Sequence, residues 1–508
     1  MAAGFVEIES GRRFSASVLW DWQADYFRRA GIAAWAGALP FYATSNPFIA
    51  DRYAQVIHRY LLELGRLDAT SAGQTVPIVE LGAGPGQFAF YCASRLAELC
   101  QAAPPALRPV YVLTDLAPAM VDFWATQPAL ARLAADGWVD FAAFDIDRLA
   151  PLALRDGGRP AALICIANYV LDSTRADAFR VDQGRLIELR PGLRVAKGKW
   201  TPGRPPRLAD VDVRFAPAPA DPAGYYDRPA WNRVLADYAG AGGKGGFVFP
   251  TAMLAALDVL RGTADGRLLL LAADKGYGAD EVAGRGAPVL TRHGSAFSIE
   301  VNFDAVARVA ALDGGVAVQQ ANADGLFTGA YLWRRPGEAM PETTAAADTA
   351  LRGFGPYDFM SLYRALRQAP AADARTLLSL LRLSRWDPHV LSRLAPKILA
   401  GDALRHASFR RALRAGLVRA EALIYRKPGM PDYDFELARL AYGLKDFEAA
   451  LRLYGQSIDH TGDSGAARLN RAHCLAALGR DAEIAAELRA CLAVEPKNAD
   501  AAEWLTRL

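Results

Sequence analysis

The run Val76-Pro77-Ile78-Val79-Glu80-Leu81-Gly82-Ala83-Gly84-Pro85-Gly86-Gln87 leads an apolar segment through E-x-G-x-G-x-G into an amphipathic stretch. A strand entering a glycine-rich turn and then a helix is the opening unit of a doubly wound α/β sheet. The glycines let the backbone turn sharply and approach a ligand, and the helix start presents unpaired N–H groups. The spacing is not the G-x-G-x-x-G of dinucleotide binders. Glu80, two residues before Gly82, suits a cationic sulfonium ligand carrying an amino group better than a pyrophosphate. Glu80, Gly82, Gly84 and Gly86 are therefore candidate cofactor-binding residues.

Further short apolar runs follow in the order such a sheet requires. Val110–Thr114, Val139–Phe144, Ala161–Ala167 and Arg267–Ala273 lack polar alternation, as expected of strands covered on both faces, and helical stretches separate them. Val316–Ala321 and Leu326–Trp333, joined by Asn322-Ala323-Asp324-Gly325, predict a closing antiparallel hairpin. The expected fold is α/β, a doubly wound and mostly parallel seven-stranded sheet. An insertion over residues 181–246 is rich in Pro, Gly and Arg and begins with a small hairpin, Phe179–Val181 to Arg185–Leu189. Its Ala239–Gly246 stretch reads as a flexible loop, since it lacks the G-x-x-x-x-G-K-[ST] spacing of a phosphate cradle.

At 508 residues the chain exceeds one hydrophobic core and must divide. Residues 1–75 read as a helical lead-in with an interruption at Leu39-Pro40 and a polar loop at Thr44–Pro47, residues 76–335 as the sheet domain, and residues 336–350 as a linker. Residues 351–508 read as an all-α domain. Within it Ala438 and Ala472, Ala450 and Ile484, Tyr454 and Leu488, and Ser457 and Cys491 each stand 34 residues apart. That is the period of tetratricopeptide repeats, placed at about 435–508; a helical bundle with a coincidental match is the alternative.

A net charge of +3 argues against a nucleic-acid partner, and the arginines from Arg405 to Arg419 read as a solvated helix face. No run of about 20 uncharged apolar residues predicts a membrane span, and no basic-then-apolar leader opens the sequence. Five scattered cysteines without C-x-x-C spacing or nearby histidines predict reduced, buried thiols in the cytoplasm and no metal site.

Three polar residues close predicted strands, where ligands of open α/β sheets sit. Asp115 can accept both hydroxyls of a ribose, Asp145 can meet an adenine amino group, and Asn168 faces the reacting methyl. Helix capping is the competing role for each. Asp172, four residues past Asn168, is the first candidate to accept a proton from a nucleophile, and His293 the second.

Taken in order, Tyr42–Ile49, Glu80–Gly86, Ile166–Asp172, Asp177–Val181, Asp274-Lys275-Gly276-Tyr277, Thr291-Arg292-His293 and Ser298–Phe303 resemble the MidA-like methyltransferases, relatives of a complex I assembly factor, over roughly Phe41 to Trp333. The resemblance implies S-adenosylmethionine as cofactor and methylation of arginine in a protein partner. Tyr169 stands where the family usually carries a glutamate after Asn, which removes a carboxylate suited to a guanidinium, and the family's second histidine is replaced near Glu300. Two functions remain open: a methyltransferase whose repeats recruit a protein substrate, or a catalytically reduced fold that serves as a protein-binding scaffold.

Overall fold

The computed structural model describes residues 4–35, 42–149, 158–241, 244–264, 266–282, 284–321 and 325–508. The Leu39-Pro40 interruption, Phe41, the centre of the glycine-rich stretch and the Asn322–Asp324 turn lie outside them. The chain divides into two units, 1–357 and 358–508.

In the first unit β1 (Phe5–Glu9) precedes α1 (Val18–Ala30) and α2 (Pro47–Leu67). Ser17 accepts from the Leu19 amide, and Asn46 accepts from the Ile49 amide ahead of Pro47, so both helices start at side-chain caps. The βα units follow: β2 (Thr75–Glu80), α3 (Gln87–Ala102), β3 (Arg108–Asp115), α4 (Pro118–Thr126), α5 (Pro128–Ala135), β4 (Val139–Ala143) and β5 (Leu163–Asn168). Next come β6 (Asp177–Asp182), β7 (Arg185–Ala196), β8 (Val211–Pro219), α6 (Pro229–Gly240), β9 (Gly245–Phe249), α7 (Thr251–Thr263) and β10 (Leu268–Tyr277). The unit closes with α8 (Ala279–Val282), β11 (Thr291–His293), β12 (Ala296–Ser298), β13 (Val301–Asn302), α9 (Phe303–Leu312), β14 (Val316–Ala321), β15 (Leu326–Trp333) and α10 (Pro341–Asp348).

The main sheet runs β14-β15-β10-β5-β2-β3-β4, with β13 beside the end of β10. The five strands from β10 to β4 are parallel; β15 is antiparallel to both β10 and β14. The Leu268–Ala273 run is fully buried, as a strand covered on both faces demands. Chain order reverses between β2 and β5, and a ligand crevice is expected outside the carboxyl ends at that point.

The insertion is a second sheet, antiparallel, in the order β1-β7-β6-β9 with β8 on the free side of β7. Gly245 and Gly246, read as loop, belong to β9. A Cβ on Gly246 would lie 2.1 Å from the carbonyl oxygen of Gly286, so glycine there admits a passing backbone. This sheet shares a core with Phe14, Leu19, Trp20, Phe297 and Ile299, which fixes α1 and the β11–β12 hairpin as one block.

The stretch expected to be a linker contains α10. The buried carboxylate of Glu63 on α2 accepts from the amides of Glu342 (3.1 Å) and Thr343 (2.8 Å) and from the Thr343 hydroxyl, and Ala347 is 2% exposed. The charged Glu338 pairs with the buried Arg267. Residues 336–350 are thus packed structure.

The second unit is all helix: α11 (Pro356–Gln368), α12 (Ala374–Leu383), α13 (Pro388–Ala400), α14 (Ala407–Ala422), α15 (Tyr433–Gly443), α16 (Phe447–Thr461), α17 (Gly465–Ala477), α18 (Asp481–Val494) and α19 (Ala499–Arg507). The residues of the 34-residue period, Ala438, Ala450, Tyr454 and Ser457 with Ala472, Ile484, Leu488 and Cys491, are all buried. No helix among the described residues is long and apolar enough to cross a membrane.

Candidate active site

A cleft opens at the carboxyl ends of β2, β3 and β5 and just beyond β4, on the switch point. It encloses about 1030 Å³ of space, part of it open to solvent. Its roof is α1 and the β11–β12 hairpin. Gln23 of α1 ties that roof to the floor: its Oε1 accepts from the Phe297 amide at 2.7 Å and its Nε2 donates to the Ser173 carbonyl at 3.1 Å.

The glycine turn has the backbone its sequence implies. Gly82, Gly84 and Gly86 all have positive φ, at 60°, 51° and 78°. A Cβ on Gly82 would lie 2.6 Å from Val170 Cγ2, and one on Gly84 2.6 Å from the Trp35 ring. Gly82 and Trp35 line the cleft; Gly84 and Gly86 lie behind that lining.

Asp115 ends β3 and lines the cleft. Its Oδ1 accepts from the Ala117 amide at 3.0 Å, and amides of Gly84 and Leu116 also face it. Burial outweighs these bonds and pushes its carboxyl up to about 6. Asp145 lines the cleft as half of an ion pair, 2.9 Å from Arg28 Nη2, and accepts from the Asp147 amide. Asp172 lines the other end, 3% exposed; burial pushes it up to about 6 against hydrogen bonds from Ser173 and Ser298 and the charge of Lys275. His293 also lines the cleft, its Nε2 3.1 Å from Ser298 Oγ.

Two expected residues are turned away. The Glu80 carboxylate is buried in the sheet, where it accepts from the Tyr111 hydroxyl at 2.9 Å, and desolvation pushes it up to about 8. Asn168 accepts from the Tyr53 hydroxyl at 3.1 Å and donates to the Thr44 carbonyl at 3.0 Å, which ties β5 to α2 and the loop before it. Neither lines the cleft.

Other residues enter that were not candidates for binding or catalysis. Tyr169 lines the cleft with φ of +56°, a left-handed conformation that is costly for an aromatic residue. It is held there on both sides. Its amide donates to the Ala273 carbonyl at 2.9 Å, while the fully buried Asp274 accepts from the amides of Leu171 (2.8 Å), Asp172 (3.2 Å) and Lys275 (2.7 Å). Lys275 Nζ stands 5.6 Å from the Tyr169 ring centre. Asp274 and Ser298 fall in stretches that carried the family resemblance. Trp35 and Arg28 sit in a helical lead-in whose periodicity says nothing of a ligand.

No family model matches the chain, and no curated protein matches it. Among solved structures, an uncharacterised protein from Burkholderia thailandensis is similar at 16% identity and a TM-score of 0.37, over 64% of this chain and 95% of that one. A member of the same superfamily from that organism, bound to S-adenosyl-homocysteine, gives 16% and 0.37 over 65% and 95%. The DhpI complex with S-adenosyl-homocysteine gives 12% and 0.26 over 63% and 98%. The chain is a mixed α/β protein with a large, mostly parallel sheet and a helical C-terminal region.

Proposed function

We propose that the chain is an S-adenosylmethionine-dependent methyltransferase acting on a polypeptide recruited by its C-terminal helical repeats. The charge of the cleft carries this reading. Its described lining holds four carboxylates, Asp115, Asp145, Asp147 and Asp172, and no lysine or arginine. Arg28 and Arg175 reach Asp145 and Asp147 from outside, whereas the hydrogen bonds to Asp115 all come from backbone amides. A half-buried site of that sign favours a cation, and Phe27, Met120, Phe144 and Ile146 beside it supply the apolar faces a purine needs.

When bound, the cofactor supplies an electrophilic methyl group on a positively charged sulfur. Asp115 has lone pairs left for ribose hydroxyls, Asp145 with Arg28 stands at the apolar end, and Asp172 is placed to take the acceptor's proton. Glu80 does not reach the cleft, so it would not hold the cofactor's amino group. Asn168 acts by holding the turn rather than by touching the reacting methyl.

Incubating the full chain with methyl-labelled cofactor and a protein extract should label a polypeptide, and Asp172→Asn should abolish the label. One observation favours the scaffold reading instead: Trp35 packs where any side chain on Gly84 would stand and covers the glycine turn. Cofactor binding with no label in any polypeptide would favour that second reading.

A further inference from the structure

Glycine at position 84 leaves its turn open to a close approach, and a ring takes that approach. A Cβ there would lie 2.6, 2.7 and 3.2 Å from Cζ2, Cε2 and Cη2 of Trp35. The space beside Gly86 is filled by Leu113, Leu130 and Trp124, all fully buried, and the space beside Gly82 by Val170 of the turn after β5. Those neighbours belong to the sheet and the helices that cover it. Trp35 does not: it is half-buried, lines the cleft, and reaches Gly84 from the turn Gly31–Trp35 that follows α1.

The hold on that turn is uneven. Before it, α1 is fixed to the floor by Gln23 and by the Arg28–Asp145 pair. Gly31 then takes φ of 47° and ψ of −132°, a backbone that glycine adopts without strain and other residues avoid. Beyond it the one buried side chain is that of Ala34, a methyl group. Apart from the indole's own contacts, little apolar surface opposes a swing of Trp35 about Gly31 while α1 stays in place. Gly84 is the fixed partner, since its carbonyl accepts from Nε1 of the buried Trp124 at 2.8 Å.

We infer that Trp35 is a gate that sorts ligands by what they carry on the 5′ carbon of the ribose. This deepens the methyltransferase reading and rests on it. A plain nucleoside uses Asp115 and the apolar faces of the cleft and leaves the indole against Gly84. A nucleoside that carries an amino-acid chain on a sulfur needs the glycine turn for that chain, and the indole swings out. The second ligand bears the cost of uncovering a half-buried ring, roughly tenfold in affinity, and the first does not.

Calorimetric titration of the full chain and of Trp35→Ala with S-adenosylhomocysteine and with adenosine tests the gate. Removing the ring should tighten S-adenosylhomocysteine about tenfold and leave adenosine unchanged. A ring that serves only as a wall would do otherwise, because its loss removes contacts from the ligand. A second measurement keeps the ring in place: with fluorotryptophan incorporated, and Trp35→Phe for assignment, the ¹⁹F resonance of Trp35 should move to the position of a solvent-exposed ring with S-adenosylhomocysteine and not with adenosine. Equal or weaker binding of S-adenosylhomocysteine by Trp35→Ala, or the same ¹⁹F position with both ligands, would overturn the gate and leave the methyltransferase reading standing. No heat with S-adenosylmethionine or S-adenosylhomocysteine, in parent and variant alike, would overturn that reading and the gate with it.

Discussion

Asp115 and Gly84 stand side by side at the carboxyl ends of the sheet yet act differently. Asp115→Ala removes a buried acceptor; if that carboxylate holds ribose hydroxyls, hydrogen bonds to a charged group are worth roughly 1.5–3 kcal/mol, so cofactor affinity should fall about 10–150-fold, measured by calorimetric titration. Full affinity in that variant would make Asp115 a cap for the turn at Ala117 and nothing more. Gly84→Ala forces a Cβ against Trp35 at a φ of +51°, so it should cost about 1–3 kcal/mol of stability in chemical denaturation and perturb Trp35 fluorescence. Asp115 and Asp172 are both pushed up to about 6 by burial. Because the folded pKa lies above the unfolded value of about 3.9, their contribution to stability is fully present below about pH 4 and is lost as pH rises through about 6. A cationic ligand prefers their ionised forms. Affinity for S-adenosylmethionine should therefore rise with pH through about 6, with proton release on binding, while the neutral S-adenosylhomocysteine should show a flatter profile. Equal pH slopes for the two would count against recognition of the sulfonium. The positive-φ glycines were legible in the sequence because only backbone geometry demands that spacing. The direction of the Glu80 side chain was not legible, since it depends on Tyr111, a partner 31 residues away on the neighbouring strand.

At the scale of elements, the main sheet could be read strand by strand, because strands buried on both faces leave unbroken apolar runs in the sequence. The second sheet could be read only at its β6–β7 hairpin. Its other strands owe their conformation to partners far along the chain, as Phe5 of β1 does to Ala196, and β8 carries Arg and Pro while β9 opens on two glycines. Propensity carries little information where pairing of that kind decides. Helix α10 shows the same limit: Pro, Ala, Glu and Thr suggest a linker, but Glu63 caps its first turn from 280 residues away. Glu63→Ala would leave the Glu342 and Thr343 amides and a hydroxyl buried without an acceptor. It should lower the stability of the first unit by about 1–3 kcal/mol, read from the denaturation midpoint, without changing cofactor affinity.

For the whole molecule, the natural cut follows Tyr357 rather than the Pro- and Ala-rich stretch before it. A fragment of residues 1–357 should fold and bind cofactor like the full chain, and one of residues 358–508 should be helical alone. A fragment ending at Arg335 loses α10 and Glu338, and Glu338 is one of the two carboxylates paired with Arg267, which is 2% exposed. Breaking a buried pair costs about 3–5 kcal/mol, so that fragment should aggregate or melt well below the longer one, seen by circular dichroism. In the sequence, the change from alternating strands and helices to a 34-residue helical period is the signal for such a division. The central claim is that the acidic cleft at the β2/β5 switch point holds a cationic methyl donor. Calorimetric titration of the full chain with S-adenosylmethionine tests it most directly: the account predicts one site per chain with a Kd in the micromolar range, about −8 kcal/mol, and no heat with no thermal shift at millimolar concentration would contradict it.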